Sequence, residues 1–426
     1  MSIKVSGNLS TLVCLWVLVV SVVLPLAYVF RDFLFVPWQA SLVLLTFLLL
    51  LHRQLRVDVR LSVLGMLLGI LFVALLQLLV LQSAEISWPH LSLFVTQVLF
   101  LLLGAVVLSR EDILQALSVA AGPLVVLESV LIVIQTVFGT SFGNVKNYFG
   151  DPNLILVQEW GGEEVRRATG TLASSNAVGT FIALMLPFIL YNIDRGYRKS
   201  LSYFALAIGV LAILMTVARG SLIAVGIVVV IYYGSYWLQL GELVRRGISS
   251  YIYRVALMVV VAAGAMLVAY FYFDVYLAGL YARFTGLVAT DETVRANVNA
   301  LAFRIELIRV GVLIGLENPI WGLGFESTRH VLSQFSDMVP FWWQYPVHNY
   351  PVKIFAEMGA VSGVSWLLLN LIAVFRPAKH LDMEGTRPVL AAGIVALFYS
   401  SFYLTLLSPE LGGVFLLVLL LGWKSR

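Results

Sequence analysis

Twelve apolar runs follow one another along the 426 residues, and each is close to the length of a membrane-spanning helix. A helix needs about 20 apolar residues to cross the hydrocarbon layer of a bilayer. Charged residues make up only 12% of the chain and hydrophobic residues 61%, which excludes a soluble globular protein. The sequence therefore predicts an all-α polytopic membrane protein, with residues 1–426 forming a single integral-membrane domain. The predicted spans are 12–30, 33–51, 61–82, 91–109, 113–139, 172–190, 201–218, 220–240, 255–273, 347–374, 389–407 and 411–423.

The distribution of basic residues predicts how these spans are oriented. Lys and Arg are retained on the cytoplasmic side of short loops. With the amino terminus in the cytoplasm, the inner segments hold most of the 27 Lys and Arg residues, while the short outer turns hold only Arg31 and Arg219. Both termini are therefore predicted to be cytoplasmic, and two longer segments, 140–170 and 274–346, are predicted to be outer loops.

The larger outer loop is predicted to be partly helical. Four aliphatic residues recur at helical spacing and predict an amphipathic helix over about 291–316. They are Leu301, Ile305, Ile308 and Val312. Asn318-Pro319 ends this helix, and Gly322 and Gly324 allow a turn that a residue with a Cβ resists. Such a helix is predicted to lie in the membrane interface or across the bundle.

Two arginines on this helix face different directions. Arg304 and Arg309 are five residues apart, which is about 140° around a helix axis, so a regular helix does not bring both to one anion. Arg304 shares a face with Leu301 and Ile308 and is predicted to point toward the surface on which the helix packs. Arg309 follows Glu306 by one turn, which favours a solvated ion pair; contact with a substrate is the alternative.

Arg219 interrupts apolar sequence in the segment TVARGSLIA. A charge held in hydrocarbon is costly, so this arginine either extends to the interface or serves a ligand. Gly220 and Ser221 allow the chain to turn and a new helix to begin. The start of a helix beside an arginine is suited to phosphate oxygens, which makes Arg219 a candidate for binding a ligand with a phosphate group.

The end of the large loop, FWWQYPVHNYPVKIFAEMG, contains a candidate general base. Pro351 fits the first turn of the following helix, which places His348 at or just before its amino terminus. The positive end of the helix dipole disfavours a second positive charge, so His348 is predicted to be a neutral imidazole that accepts a proton. The alternative is a structural histidine that is hydrogen-bonded within an interfacial aromatic belt.

The smaller outer loop ends in RRATGTLASSNAVG, where two arginines precede a small, polar helix start. Arg166 and Arg167 are predicted either to hold a polyanion or lipid headgroup, or to be neutralised by Glu163 and Glu164. Glu128 lies well inside a span and is either a proton-coupling group or a buried hydrogen-bonding group.

Motifs of metal and nucleotide chemistry are missing from the sequence. It carries no Cys/His cluster, no HExxH, no Walker loop and no paired aspartates at metal-diphosphate spacing. Arginines rather than a metal are therefore predicted to bind a diphosphate. No cofactor and no nucleic-acid partner are expected.

Four segments, in this order, resemble the O-antigen ligase and polymerase superfamily. They are RRATGTLASSNAVG, TVARGSLIA, FRIELIRVGVLIGLENPIWGLGF and HNYPVKIFAEMG. The resemblance covers residues 166–370, and the flanking spans fit it by hydropathy alone. It implies a GT-C-like membrane fold with twelve transmembrane helices and a large, partly helical periplasmic loop.

The resemblance also implies an activity and assigns roles to residues. Members move a glycan from undecaprenyl diphosphate to an acceptor hydroxyl at the periplasmic face of the bacterial inner membrane, without metal or nucleotide. Carried over to this sequence, Arg219 and Arg304 bind the diphosphate and His348 is the catalytic base. Additional donor or acceptor contacts are expected from Arg166, Arg167, Arg309 and Asn349.

The favoured function is thus that of an inverting O-antigen ligase that transfers the glycan to lipid A-core. An O-antigen or capsule polymerase, whose acceptor is another lipid-linked repeat, is an alternative in the same class. A lipid or polysaccharide transporter is the alternative in another class, and it predicts ionisable residues at mid-membrane and broken helices in matching halves. The expected partners are the lipid-linked glycan, its acceptor and membrane lipids.

Overall fold

The structure is a computed structural model, and it describes most of the predicted helical runs. The described residues are 9–23, 28–30, 33–35, 37–51, 61–80, 88–138, 155–160, 163–172, 174–216, 218–237, 292–335, 347, 349–379, 385–402 and 411–424.

Thirteen α-helices and two antiparallel hairpins lie within these stretches. The helices are α1 (Leu9–Val23), α2 (Ala40–Leu51), α3 (Leu61–Val80), α4 (Trp88–Val107), α5 (Arg110–Phe138), α6 (Ser175–Arg195), α7 (Lys199–Thr216), α8 (Arg219–Trp237), α9 (Glu292–Glu317), α10 (Thr328–Phe335), α11 (Tyr350–Ala378), α12 (Thr386–Phe402) and α13 (Gly412–Trp423). The hairpins pair β1 (Tyr28–Phe30) with β2 (Phe33–Phe35) and β3 (Ile155–Trp160) with β4 (Glu163–Ala168). A single 3-10 turn, Pro37–Gln39, precedes α2.

Five of the described helices are long and apolar enough to cross a membrane. They are α4, α5, α6, α7 and α11. Shorter apolar helices occupy α1, α2, α3, α8 and α13. Helices are found in eleven of the twelve predicted spans, and the remaining one, 255–273, lies outside the described residues. The prediction of a helical membrane protein is confirmed, while the total of twelve spans stays a prediction.

The first two predicted spans, 12–30 and 33–51, are wrong where they meet. Tyr28–Phe30 and Phe33–Phe35 form strands β1 and β2 instead of helix, with Tyr28 opposite Phe35. Aromatic and β-branched residues favour strands, and hydropathy alone does not distinguish a short apolar strand from the end of a helix. Each of the two predicted spans therefore includes residues of the hairpin that joins α1 to α2.

Helices α6 and α13 form the centre of the bundle. Along α6, 89% of the most apolar stretch is buried, and this helix packs against α5, α7, α8 and α12. Every residue of α13 is buried, and it packs against α1, α4, α11 and α12. A helix that is apolar on all sides is expected to occupy such an interior position.

The amphipathic helix predicted over 291–316 is confirmed as α9, but its predicted buried stripe is wrong. The buried aliphatic side chains are Leu307, Val310 and Ile314. Ile305, which was assigned to the stripe, is 59% exposed, and Val312 is 36% exposed. Leu307, Val310 and Ile314 also recur at helical spacing, so the pattern allowed two stripes, and the close contacts of Gly311 and Gly315 with α11 select this one.

Helix α11 is broken at Gly359, where φ is +76° and ψ is −179°. The chain that follows α9 enters this break, since Gly322 and Gly324 turn with φ of +67° and +105°, as the sequence predicts. Three main-chain hydrogen bonds join the two segments: Leu323 N–H to Ala356 O (3.0 Å), Gly324 N–H to Glu357 O (2.9 Å) and Ala360 N–H to Pro319 O (2.7 Å). The end of α9 is thereby attached to the middle of α11.

Candidate functional site

The predicted helix break around Arg219 is present. Helix α7 ends at Thr216 and α8 begins at Arg219. The buried Ala218 carbonyl accepts hydrogen bonds from Ser221 N–H (3.0 Å) and Leu222 N–H (3.3 Å), which close the first turn of α8. Arg219 therefore occupies the first turn of a helix, where free N–H groups and the helix dipole favour a bound anion.

The first turn of α6 lies directly against the first turn of α8. A Cβ at Gly179 would lie 2.0 Å from Ser221 Oγ, so only glycine allows this approach. Ser174 caps α6 by accepting a hydrogen bond from Ala177 N–H at 3.0 Å, which confirms the predicted helix start. The Ser175 hydroxyl is buried beside this cap and has no hydrogen-bond partner among the described residues.

Helix α11 begins as the sequence predicts, with Pro351 in its first turn. Asn349 caps the helix, because its Oδ1 accepts a hydrogen bond from Val352 N–H at 3.0 Å. Its Nδ2 donates to Ser401 O at 3.0 Å, which ties the cap to α12. His348 directly precedes this cap and lies outside the described residues.

The carboxy-terminal turns of α12 connect these helix starts. Tyr399 donates its hydroxyl to Ser221 Oγ at 3.0 Å, and Ser401 O accepts from Asn349. Helix α12 also packs along α6. The starts of α6, α8 and α11 therefore meet around one end of α12, and we call this arrangement the helix-start cluster.

Arg304 lies on the face of α9 that packs against α11. Gly311 follows it by seven residues, about 10.5 Å along the axis and within about 20° of the same direction. A Cβ at Gly311 would lie 2.8 Å from Val352 and 3.1 Å from Val347. A Cβ at Gly315 would lie 2.4 Å from Phe355, so α9 and α11 run in the same direction. The half-buried Arg304 therefore lies about 10.5 Å before the level of Val347 and Val352, toward the amino-terminal end of α11.

Arg309 has the partner that its spacing predicts. Its Nε lies 2.8 Å and its Nη2 2.6 Å from the two carboxylate oxygens of Glu306. Hydrogen bonding to Glu306 raises the pKa of the Arg309 guanidinium. The Arg309 side chain is 54% exposed, so this is a surface ion pair on the face of α9 away from α11.

Arg166 and Arg167 lie in β4, a strand that sequence analysis did not predict within the segment 140–170. They pair in register with Val157 and Leu156 of β3. The strand leads through residues 169–172 into the start of α6. The hairpin is thus attached to one of the three helix starts.

Two side chains of α5 hold the turn between β4 and α6. Gln135 accepts hydrogen bonds from Thr169 N–H (3.1 Å) and Gly170 N–H (2.9 Å), and its amide donates to Gly170 O at 2.8 Å. Glu128 accepts from Thr171 N–H at 3.0 Å and lies 2.5 Å from the Thr171 hydroxyl. We call Glu128 and Gln135 the amide lock. Glu128 thus has the contacts of a buried hydrogen-bonding group, one of its two predicted roles.

Sequence analysis missed three residues that shape the site: Gln135, Tyr399 and Lys353. Lys353 and Glu357 stand one turn apart within an apolar run, which is a usable signal because an unpaired charge is costly there. Gln135 and Tyr399 gave no local signal, since their partners are far away in sequence and only the packing of helices brings them together.

The helix-start cluster has the electrostatic character of an anion site. Each helix start carries partial positive charge on its first N–H groups, and the carboxy-terminal carbonyls of α12 carry partial negative charge beside them. Three helix starts outweigh one helix end, so the net field at this place favours an anion. Among the described residues, no three His, Cys, Asp or Glu side chains group closely enough to hold a metal ion. The arrangement can thus attract a phosphate group through main-chain N–H groups and nearby arginines.

A comparison with protein families gives one match. Residues 204–367 match the family model described as O-Antigen ligase. This stretch begins in α7 and ends in α11, and it includes Arg219, Arg304 and Asn349. No curated protein matches the chain. The resemblance read from the sequence is confirmed over residues 204–367, while the segment RRATGTLASSNAVG lies outside the match, and the chain is a helical membrane protein of which this part is similar to the O-antigen ligase family.

Proposed function

We propose that the chain is a glycosyltransferase that moves a glycan from undecaprenyl diphosphate to an acceptor hydroxyl at the periplasmic face of a bacterial inner membrane. The helix-start cluster is the observation that carries this proposal. Three helix starts that meet at one end of α12 provide positive potential where a diphosphate headgroup of a membrane lipid would bind. The favoured acceptor is lipid A-core, which makes the protein an O-antigen ligase.

The diphosphate is assigned to Arg219 and Arg304. Arg219 starts α8, and Arg304 lies on the side of α9 that faces α11, toward the amino-terminal end of α11. A guanidinium group presents two parallel N–H donors to phosphate oxygens and stays charged at all relevant pH values. As the bond to the glycan breaks, negative charge grows on the leaving diphosphate, and arginines already in place stabilise that transition state without a metal.

His348 is assigned as the general base. The acceptor hydroxyl oxygen forms a bond to the anomeric carbon while the bond from that carbon to the diphosphate oxygen breaks. The electron pair leaves with the diphosphate, and the hydroxyl proton passes to the neutral imidazole. A single displacement of this kind inverts the anomeric centre. The position of His348 directly before the α11 cap supports this assignment, because a helix start favours the neutral form.

Two arginines of the same helix provide a matched test. In proteoliposomes supplied with lipid-linked glycan and lipid A-core, we expect Arg304→Ala to lower the rate of transfer by about 10²- to 10³-fold, as for the loss of one transition-state donor. Arg309→Ala serves as the control, because Arg309 lies on the opposite side of α9 in a surface ion pair, and it should transfer at the normal rate. Equal rates for the two variants would remove Arg304 from the site.

The identity of the acceptor distinguishes an O-antigen ligase from a polymerase. We expect glycan to be added to lipid A-core and not to a second lipid-linked repeat. Elongation of the lipid-linked repeat alone would identify a polymerase instead. Movement of labelled lipid-linked glycan across the vesicle membrane, with no glycan transferred to either acceptor, would identify a transporter and contradict the proposal.

A further inference from the structure

A buried charged cluster lies in the break of α11. Lys353 Nζ lies 2.8 Å from Glu326 Oε1 and also contacts Glu357 Oε2. The three side chains are between 0% and 4% exposed. Thr328 donates its hydroxyl to the other Glu357 oxygen at 2.5 Å, and the Lys353 ammonium lies 4.5 Å from the centre of the Phe325 ring. We call Glu326, Lys353 and Glu357 the ionic lock.

The ionic lock is a costly arrangement for a helical bundle. The desolvation of buried charges roughly cancels their attraction, so an apolar replacement of similar volume is often at least as stable. Glu326 also has a φ of +67°, a conformation that residues with a Cβ rarely adopt. Its N–H donates to Glu357 Oε2 at 2.9 Å, so one carboxylate holds both this backbone and the lysine. A buried ionic cluster with a strained backbone is consistent with a role in holding the two segments in one defined geometry.

The geometry that the ionic lock defines is the position of α9 along α11. The interface between the two helices is formed by Gly311 and Gly315 against valine and phenylalanine side chains. Contacts of this kind are non-directional. The chain after α9 is directionally fixed at the break by the three main-chain hydrogen bonds and by the lock, which adds buried side-chain contacts of Glu326 with Lys353 and Glu357.

We propose that the ionic lock is a positioning cluster that sets the position of Arg304 relative to the amino-terminal end of α11, which follows His348 in the sequence. This inference rests on the proposed function. The lock acts through α9: it fixes the end of this helix in the α11 break, and Arg304 follows as part of the same helix. A displacement of about 1 Å at a reacting centre lowers a rate by roughly 100-fold, so a sliding helix is sufficient to impair transfer.

A crosslink between α9 and α11 tests positioning separately from folding. Cys14 is the one native cysteine, so the Cys14→Ala chain is a background in which a disulfide between Gly311→Cys and Val352→Cys is unambiguous. A Cβ at Gly311 would lie 2.8 Å from Val352 Cγ1, which puts the two Cβ atoms within the disulfide range of about 3.5–4.5 Å. Glu326→Gln is introduced into this background, and transfer is measured in proteoliposomes after oxidation and after reduction.

We expect reduced Glu326→Gln to lose about 10- to 100-fold in kcat with little change in the KM for the acceptor, and oxidation to restore most of the lost rate. Equal rates in the oxidised and reduced states, or a normal rate in the reduced variant, would overturn the inference. Loss of transfer on crosslinking the unaltered lock would also overturn it, because α9 would then have to move. Glu357→Gln is tested in parallel so that poor folding of one variant does not decide the result. Absence of transfer in the Cys14→Ala chain, measured before Gly311→Cys and Val352→Cys are added, would contradict the proposed function instead.

Discussion

Two segments near the candidate site, the turn before α6 and the chain after α9, are held by buried polar groups of different chemistry. The amide lock, Glu128 and Gln135, holds the turn before α6 through hydrogen bonds to main-chain N–H and C=O groups. The ionic lock, Glu326, Lys353 and Glu357, holds the chain after α9 to α11 through two lysine–carboxylate contacts. Both lie among apolar helices, where an unsatisfied polar group is costly.

This difference predicts how the stability of each lock should respond to the replacement of one of its side chains. A hydrogen-bond lock loses one or two bonds and leaves uncharged main-chain groups unpaired. An ionic lock loses the only ammonium between two carboxylates and leaves charge buried. The chain near α6 should therefore tolerate substitution better than the break of α11.

The largest effect is expected from Lys353→Met. This change leaves two buried carboxylates without their cation, and the free energy of unfolding should fall by about 3–5 kcal/mol. The measurement is the thermal unfolding of the purified protein in detergent. Adding Glu326→Gln and Glu357→Gln to Lys353→Met removes the buried charge and should recover most of the loss. A Lys353→Met protein as stable as the parent would show that the cluster is not held by charge.

A smaller effect is expected from Glu128→Leu in the amide lock. The substitution removes the acceptor of the Thr171 N–H and the partner of its hydroxyl, and should lower the free energy of unfolding by about 1–3 kcal/mol. Glu128→Gln keeps an acceptor in the same place and should lose less. The same thermal assay distinguishes them. A glutamine variant as unstable as the leucine variant would mean that hydrogen bonding to Thr171 is not what Glu128 contributes.

The parts of the fold that were predictable from the sequence depend on neighbours along the chain. The α11 start follows from Asn349 and Pro351, because capping and proline placement act within one turn. The Arg309 ion pair with Glu306 is likewise local. The length of α9 followed from its periodicity and from the proline after it, since both are properties of the segment itself.

The parts that were not predictable depend on which segments meet. The face of α9 that packs against α11 includes Gly311 and Gly315, which allow close approach because they have no side chain. A hydropathy pattern does not indicate such a contact. Glu326 meets Lys353 only because the α11 break accepts the chain after α9. The helix-start cluster has the same origin, since the contact of Tyr399 with Ser221 spans 178 residues of sequence.

The smallest effects come from two matched threonines and provide the sharpest comparison of the locks. Thr171 and Thr328 each place a hydroxyl 2.5 Å from a buried glutamate oxygen, but the Thr171 hydroxyl also lies 2.5 Å from Val22 O. Valine replaces threonine with little change in shape. The single Thr171 hydroxyl proton is shared by two buried acceptors, so Thr171→Val leaves two acceptors without this donor and Thr328→Val leaves one. A buried acceptor without a donor costs about 1–3 kcal/mol, so Thr328→Val should lower the free energy of unfolding by about 1 kcal/mol and Thr171→Val by about 2 kcal/mol.

Thermal unfolding of the two valine variants side by side checks this order. The order runs opposite to that of the whole locks, because Glu357 keeps the Lys353 ammonium and the Glu326 N–H when Thr328 is lost, whereas Glu128 keeps only the Thr171 N–H. A larger loss for Thr328→Val than for Thr171→Val would mean that the ionic lock depends on its hydroxyl donor as much as on its lysine. The expected difference in stability between the ionic lock and the amide lock would then not be explained by the Lys353 ammonium.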